Sequence, residues 1–165
     1  MTQPDVAALT DLVAALTARV TTLEDERAVH DVLTRYGLTM DAGDADACAA
    51  LYAEACTVDI DGMIVATGRD GVRGMVESEP HQALLPNCAH VMGPFTVSVD
   101  GDRATATGYA TVSVRGPDGI DVWRQAFGRW ELERVAGTWQ IVRRTSRATG
   151  NDDAAALISR MSEED

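Results

Sequence analysis

Lysine is missing from this chain: its basic residues, Lys and Arg together, number 14 of 165, and every one is arginine. Schiff-base chemistry on a lysine amine is therefore excluded, and with it class I aldolase and pyridoxal-phosphate reactions. Acidic residues outnumber the basic ones and the formal net charge is −12. That balance supplies no basic stripe for nucleic-acid phosphates and disfavours an anionic membrane surface. Cysteine is scarce as well. Cys48, Cys56 and Cys88 are scattered and odd in number, a pattern of reduced thiols, small buried hydrophobes in a cytoplasm, rather than a disulfide framework. No stretch reads as long and apolar enough to span a bilayer, and the opening MTQPDVAALT lacks the basic and apolar regions of a secretory signal. A cytoplasmic protein is the expectation. No two histidines stand at zinc-ligand spacing and no glycine-rich phosphate loop occurs, so neither a metal nor an organic cofactor is expected.

What is present begins with heptads. Val6, Val13 and Val20 occupy one position and Leu9, Leu16 and Leu23 another, with Leu12 widening the stripe. Valine at a and leucine at d favour a parallel two-stranded coil, although three heptads also suit a helix packed on its own domain. Residues 1–27 form this N-terminal helix in our reading. From Ala28 the phase changes: Val29, Val32, Leu33, Tyr36 and Met40 share one face, with Asp41 at its margin. Gly37, one turn before Asp41, removes a side chain where a ligand or another backbone must approach.

A Gly-Asp break then leads to a short helix, 46–53. Strand 56–60 follows, with a hairpin at Asp61-Gly62 that Asp59 and Asp61 bracket as turn residues. Residues 69–78 read as a helix and 79–86, with two prolines, as a loop. Four antiparallel strands are predicted at 90–99, 103–114, 120–133 and 138–147, separated by the turns DGD, GPDG and VAG. Residues 28–150 make one α+β domain: a curved antiparallel sheet wrapped around the N-terminal helices, with an internal pocket. Residues 151–165 form a polar tail with some helix.

Within this frame the segments RAVHDVLTRYGLTMDAGDADACAALYAEACTVDIDG, AHVMGPFTVSVDGDRATATGYATV and FGRWELERVAGTWQIVRRT resemble the SnoaL-like branch of the nuclear-transport-factor-2-like superfamily. The resemblance runs from Glu24 to Ala148 and implies a cone-shaped α+β barrel. The superfamily includes scytalone dehydratase, a bile-acid dehydratase, a dehydrochlorinase, ketosteroid isomerase, polyketide cyclases and non-catalytic binders, so fold alone names no reaction. The dehydratase and dehydrochlorinase group uses an aspartate late in the first helix and a histidine opening a central strand, positions that Asp41 and His90 match. A tyrosine five residues before the aspartate matches Tyr36, and an arginine five residues after the "G-x-W" tryptophan, Trp139, matches Arg144. No residue of these motifs matches the second pocket histidine of scytalone dehydratase.

An Asp–His pair makes a general base, a tyrosine hydroxyl donates to oxygen, and an arginine holds developing negative charge. Asp41, His90, Tyr36 and Arg144 are the expected catalytic set. Tyr52, Trp130 and His81 are candidates for substrate contact, His81 either on a lid or on a solvated loop. His30 is expected to be exposed and the three tryptophans to suit core packing. The expected activity is dehydratase-type elimination on a hydrophobic or polycyclic small molecule, with isomerase, cyclase and non-catalytic binder as alternatives. The heptads and an open sheet face imply self-association, a dimer above all.

Overall fold

The computed structural model describes residues 6–159. One helix, α1 (Val6–Ala42), is followed by α2 (Ala45–Ala50), β1 (Tyr52–Ile60), β2 (Met63–Thr67), α3 (Gly68–Glu77) and the short α4 (Glu79–Gln82). Four long strands come next, β3 (Cys88–Asp100), β4 (Arg103–Gly116), β5 (Gly119–Val135) and β6 (Thr138–Ala148), and then α5 (Asp152–Ser159). Pro80 sits in the first turn of α4, inside the expected loop, where its missing N–H costs no hydrogen bond. The second helix is shorter than expected because Tyr52 already opens β1. Of the C-terminal tail, α5 packs Ala154 and Leu157 inward, and residues 160–165 lie outside the described part.

The six strands form one sheet in the order β2-β1-β6-β5-β4-β3. Neighbours from β3 to β6 run antiparallel, as the meander predicts. The sheet is nevertheless mixed, because β1 joins β6 in parallel. The α3–β5 meander between β1 and β6 supplies the long crossover a parallel pair needs. Register shifts at Val58/Asp59, Tyr52/Thr57, Met92/Phe95, Val112/Ser113 and Glu131/Leu132 interrupt all five ladders. Each such irregularity bends its strand and increases twist, which curls the sheet around α1.

Helix α1 is continuous through residues 27 and 28, and its buried side begins only at Val29. Val29, Leu33, Tyr36 and Met40 pack on Tyr52, Val58, Trp130, Leu132 and Ile141 to make the core. The heptad residues Val6, Leu9, Leu12, Val13, Leu16, Val20 and Leu23 are all exposed, so the packed-helix reading of that segment fails. An 18-residue window of α1 also reaches a mean hydropathy of 1.4, enough by length and composition to cross a bilayer. This corrects the expectation that no such stretch exists. Its apolar residues, however, form a stripe rather than a belt.

The helix stops by a defined device. Gly43, at φ +66°, takes the left-handed conformation, its N–H bonds Met40 O at 3.0 Å, and Asp44 N–H bonds Thr39 O at 3.0 Å. These are the two bonds of a Schellman end. Asp44 then caps α2 by accepting from Ala47 N at 2.9 Å.

Gly37 is where helix and sheet meet most closely. A Cβ there would lie 2.8 Å from His90 O and 2.9 Å from Met92 Cγ. Gly37→Ala should therefore cost about 1–3 kcal/mol, the usual range for overpacking, and displace β3 at His90. Chemical denaturation of the variant, showing an unshifted midpoint, would contradict this packing.

Candidate active site

Asp41 sits in the last turn of α1, against the local preference of the helix dipole for a cation there. Its partners lie across the gap on β3. His90 N–H donates to both Asp41 carboxylate oxygens, at 3.0 and 2.9 Å, and His90 Nδ1 lies 2.7 Å from Oδ1. The Cys88 thiol reaches the same oxygen at 3.8 Å. Because a carboxylate only accepts, His90 Nδ1 carries the proton and Nε2 keeps its lone pair. Burial holds the His90 imidazole below its ordinary pKa of 6.5, outweighing the opposing pull of the Asp41 carboxylate. Burial, with Asp41 adding to it, pushes the Cys88 thiol up, so it stays protonated.

Asp41, Cys88 and His90 bring metal-ligand atoms within 4.8 Å of one another. A divalent ion at that point would need the Nδ1 lone pair and the carboxylate oxygens that the Asp41–His90 bonds already use. The cluster can hold such an ion only by giving up the dyad.

His90, with Asp41 behind it, opens into a cavity of ≈ 230 Å³ between α1, the α3–α4 segment and the sheet. Period-two alternation puts one face of each strand on it: His90 and Met92, Ala110 and Val112, Arg124 and Ala126, Arg144 and Ser146. Met40, Met75 and Leu84 complete a largely apolar lining.

Tyr36, 1 % exposed, also lines this cavity. Arg144 Nη1 donates a short hydrogen bond to Tyr36 Oη. The hydroxyl hydrogen is thereby left free for the cavity. Burial raises the Tyr36 pKa, with Arg144 opposing, so the residue stays a phenol and a donor. The Arg144 guanidinium lies over the rings of Trp130 and Tyr36, at 4.7 and 4.9 Å. Among the described residues no carboxylate pairs with it, and its Nε is buried without a hydrogen-bond partner.

The other three sequence candidates divide. Tyr52 and Trp130 are fully buried behind the cavity and do not line it. They are core residues, packed edge-on to Tyr36 at 6.3 and 4.9 Å, and the expectation of substrate contact is corrected for both. His81 is buried, so the solvated-loop reading fails. Its Nδ1 lies 2.7 Å from Val76 O, which makes Nδ1 the donor and leaves Nε2 as an acceptor. Among the described residues that Nε2 has no partner, and the ring stands 6.0 Å from His90. A second imidazole thus does reach the cavity, delivered by α4, a segment outside the family motifs.

Sequence reasoning missed Arg124 and Trp123. Arg124 donates to Asp61 Oδ2 at 2.8 Å, while its Nη2 is buried and has no hydrogen-bond partner among the described residues. Trp123 lines the cavity while 57 % exposed, not a core residue. Alternation along β5 offered the only available signal, and a register shift between Val112 and Ser113 blurs it. Asp59 and Asp61 are more than turn residues: Asp59 grips Arg147 with both oxygens at 2.7 and 3.0 Å, and Asp61 accepts from Arg124 and Ala148 N.

A SnoaL-like domain model matches residues 21–145, and the chain belongs to that family. A solved NTF2-like protein with a cystatin-like fold from Novosphingobium aromaticivorans is 32% identical, with a TM-score of 0.83 over 94% of this chain and 98% of that one. A protein from the same organism carrying the scytalone dehydratase name shares the fold at 22% identity, TM-score 0.65, covering 79% of this chain and 88% of its own. A Catenulispora acidiphila protein in complex with S-DNPA does so at 19% identity, TM-score 0.67, covering 79% and 96%. No functionally curated sequence matches the chain.

Proposed function

We propose that the chain is a cofactor-independent lyase that removes water from a small, hydrophobic, hydroxylated carbonyl compound. The carrying observation is the Asp41–His90 pair at 2.7 Å, with the free nitrogen of a neutral imidazole turned to an apolar cavity. In this reading His90 Nε2 takes the proton next to the carbonyl, and Asp41 stabilises the imidazolium that forms. Tyr36, braced by Arg144, donates to the carbonyl oxygen as it gains charge. The carbon–oxygen bond to the β-hydroxyl breaks as the double bond forms, and the imidazolium returns the proton to the departing hydroxide as water. His81 Nε2, an acceptor, orients a substrate hydroxyl. The related fold bearing the scytalone dehydratase name supports elimination over isomerisation. The three unpaired cysteines fit a reducing compartment such as the cytoplasm.

A panel of cyclic β-hydroxy ketones, followed by the absorbance of the conjugated product, tests the reading. Turnover of at least one, abolished by His90→Ala, is expected. Binding that survives this substitution with no turnover of any compound would make the protein a carrier and sink the proposal.

The pH profile is a separate check. The base works deprotonated, so activity is present above the His90 pKa and lost below it. Since burial lowers that pKa, kcat/KM should fall only below pH 6.5, the ordinary histidine value. Asp41→Asn removes the carboxylate that favours the imidazolium, so the acid limb should move lower still while the plateau drops. An acid limb centred above pH 7 would contradict a desolvated base.

A further inference from the structure

We infer that residues 6–26 of α1 are the docking surface for a second copy of this chain, in a parallel, in-register two-stranded coil. Val6, Leu9, Val13, Leu16, Val20 and Leu23 form a continuous exposed seam, each between 46% and 76% accessible. At about 100° per residue this seam lies roughly opposite the side that Val29, Val32, Leu33, Tyr36 and Met40 bury in the domain. The two surfaces therefore do not compete for the same side of the helix.

The handover point is anchored. Asp25, on the outer side of the heptad register, accepts from Trp139 Nε1 at 3.3 Å and pairs with Arg134 Nη2 at 2.7 Å. Beyond Leu23 the seam positions carry Arg27, His30, Thr34 and Gly37, so the apolar stripe ends where the helix enters its own domain. Because α1 is one helix, the domain already supplies the nucleus that a three-heptad coil lacks in isolation.

Charge and side-chain shape select the occupant. β-Branched residues at a with leucine at d favour two parallel strands. In that register Arg19, at g, faces Glu24, at the following e position of the partner, and the symmetry makes the pair twice. A bilayer fits less well: Asp11 and Arg19 interrupt the segment, and the chain's charge of −12 opposes an anionic surface.

The full chain at micromolar concentration should scatter light as a dimer. Leu9→Cys, oxidised by air, should give a disulfide-linked dimer, since a parallel in-register coil brings Leu9 against its own counterpart and an antiparallel one sets the two far apart. The Leu9→Asp/Leu16→Asp double variant should be a monomer whose 28–150 domain keeps an unchanged melting transition. A monomeric parent chain, a dimer that persists in the double variant, or a parent chain that co-sediments with phosphatidylcholine vesicles and does not self-associate would each overturn the inference.

Discussion

Replacing His90 with alanine is expected to cut turnover by about 10²–10⁴-fold, the range a positioned general base contributes, while the protein remains folded. The fold should hold because what anchors β3 is backbone: His90 N–H still reaches Asp41, and the strand pairing of His90 with Val112 is untouched. Only the ring is lost, and it leaves a space in which free imidazole can sit. Added imidazole should therefore restore part of the rate, and it should do so best where its own neutral form dominates. Single-turnover kinetics with and without imidazole, beside a circular dichroism spectrum, make the measurement. Undiminished activity in the alanine variant would remove His90 from the chemistry.

Arg144→Met should lower kcat by roughly 10²–10³-fold, the usual loss when one donor to a developing oxyanion is removed. The stability effect should run the other way. In the native protein Arg144 is a cation between two aromatic rings, with a buried Nε that has no partner. A buried cation without a carboxylate costs desolvation, against which stand only the Tyr36 bond and the two ring contacts, and methionine fills most of the same volume with a flexible apolar stem. The variant should thus melt no lower than the native chain. Melting curves and kcat measured on one preparation check both signs. A large loss of stability with kcat intact would make Arg144 a structural strut.

The long periodic elements were legible from side-chain pattern alone. Val29, Val32, Leu33, Tyr36 and Met40 recur at helical spacing, and that face is the one buried. The four long strands also lie where alternation placed them, with no end extended by more than about two residues. Tyr36, Asp41, His90 and Arg144 could be picked out because family motifs surround them. His81 could not be placed, since a histidine after a proline looks the same on an open loop as beneath a cavity wall. Tyr52 and Trp130 were misjudged for a related reason: strand alternation says which residues share a face, not how deep along the cone each one lies.

Residue order by itself determined the elements that depend on neighbours within a few positions: the helix periods, the Schellman stop at Gly43, the cap at Asp44, the turn at Asp61-Gly62 and the heptad seam. Net charge and the missing lysine likewise followed from composition. Tertiary structure decided everything that requires two distant segments to meet. The parallel pairing of β1 with β6, the curl imposed by five register shifts, and the approach of β3 to Gly37 depend on long-range contacts that local propensity does not encode. So does the meeting of Asp41 with His90, 49 residues apart in the chain and 2.7 Å apart in space. A carboxylate at a helix end has no chemistry of its own until the fold supplies an imidazole and withdraws both from water.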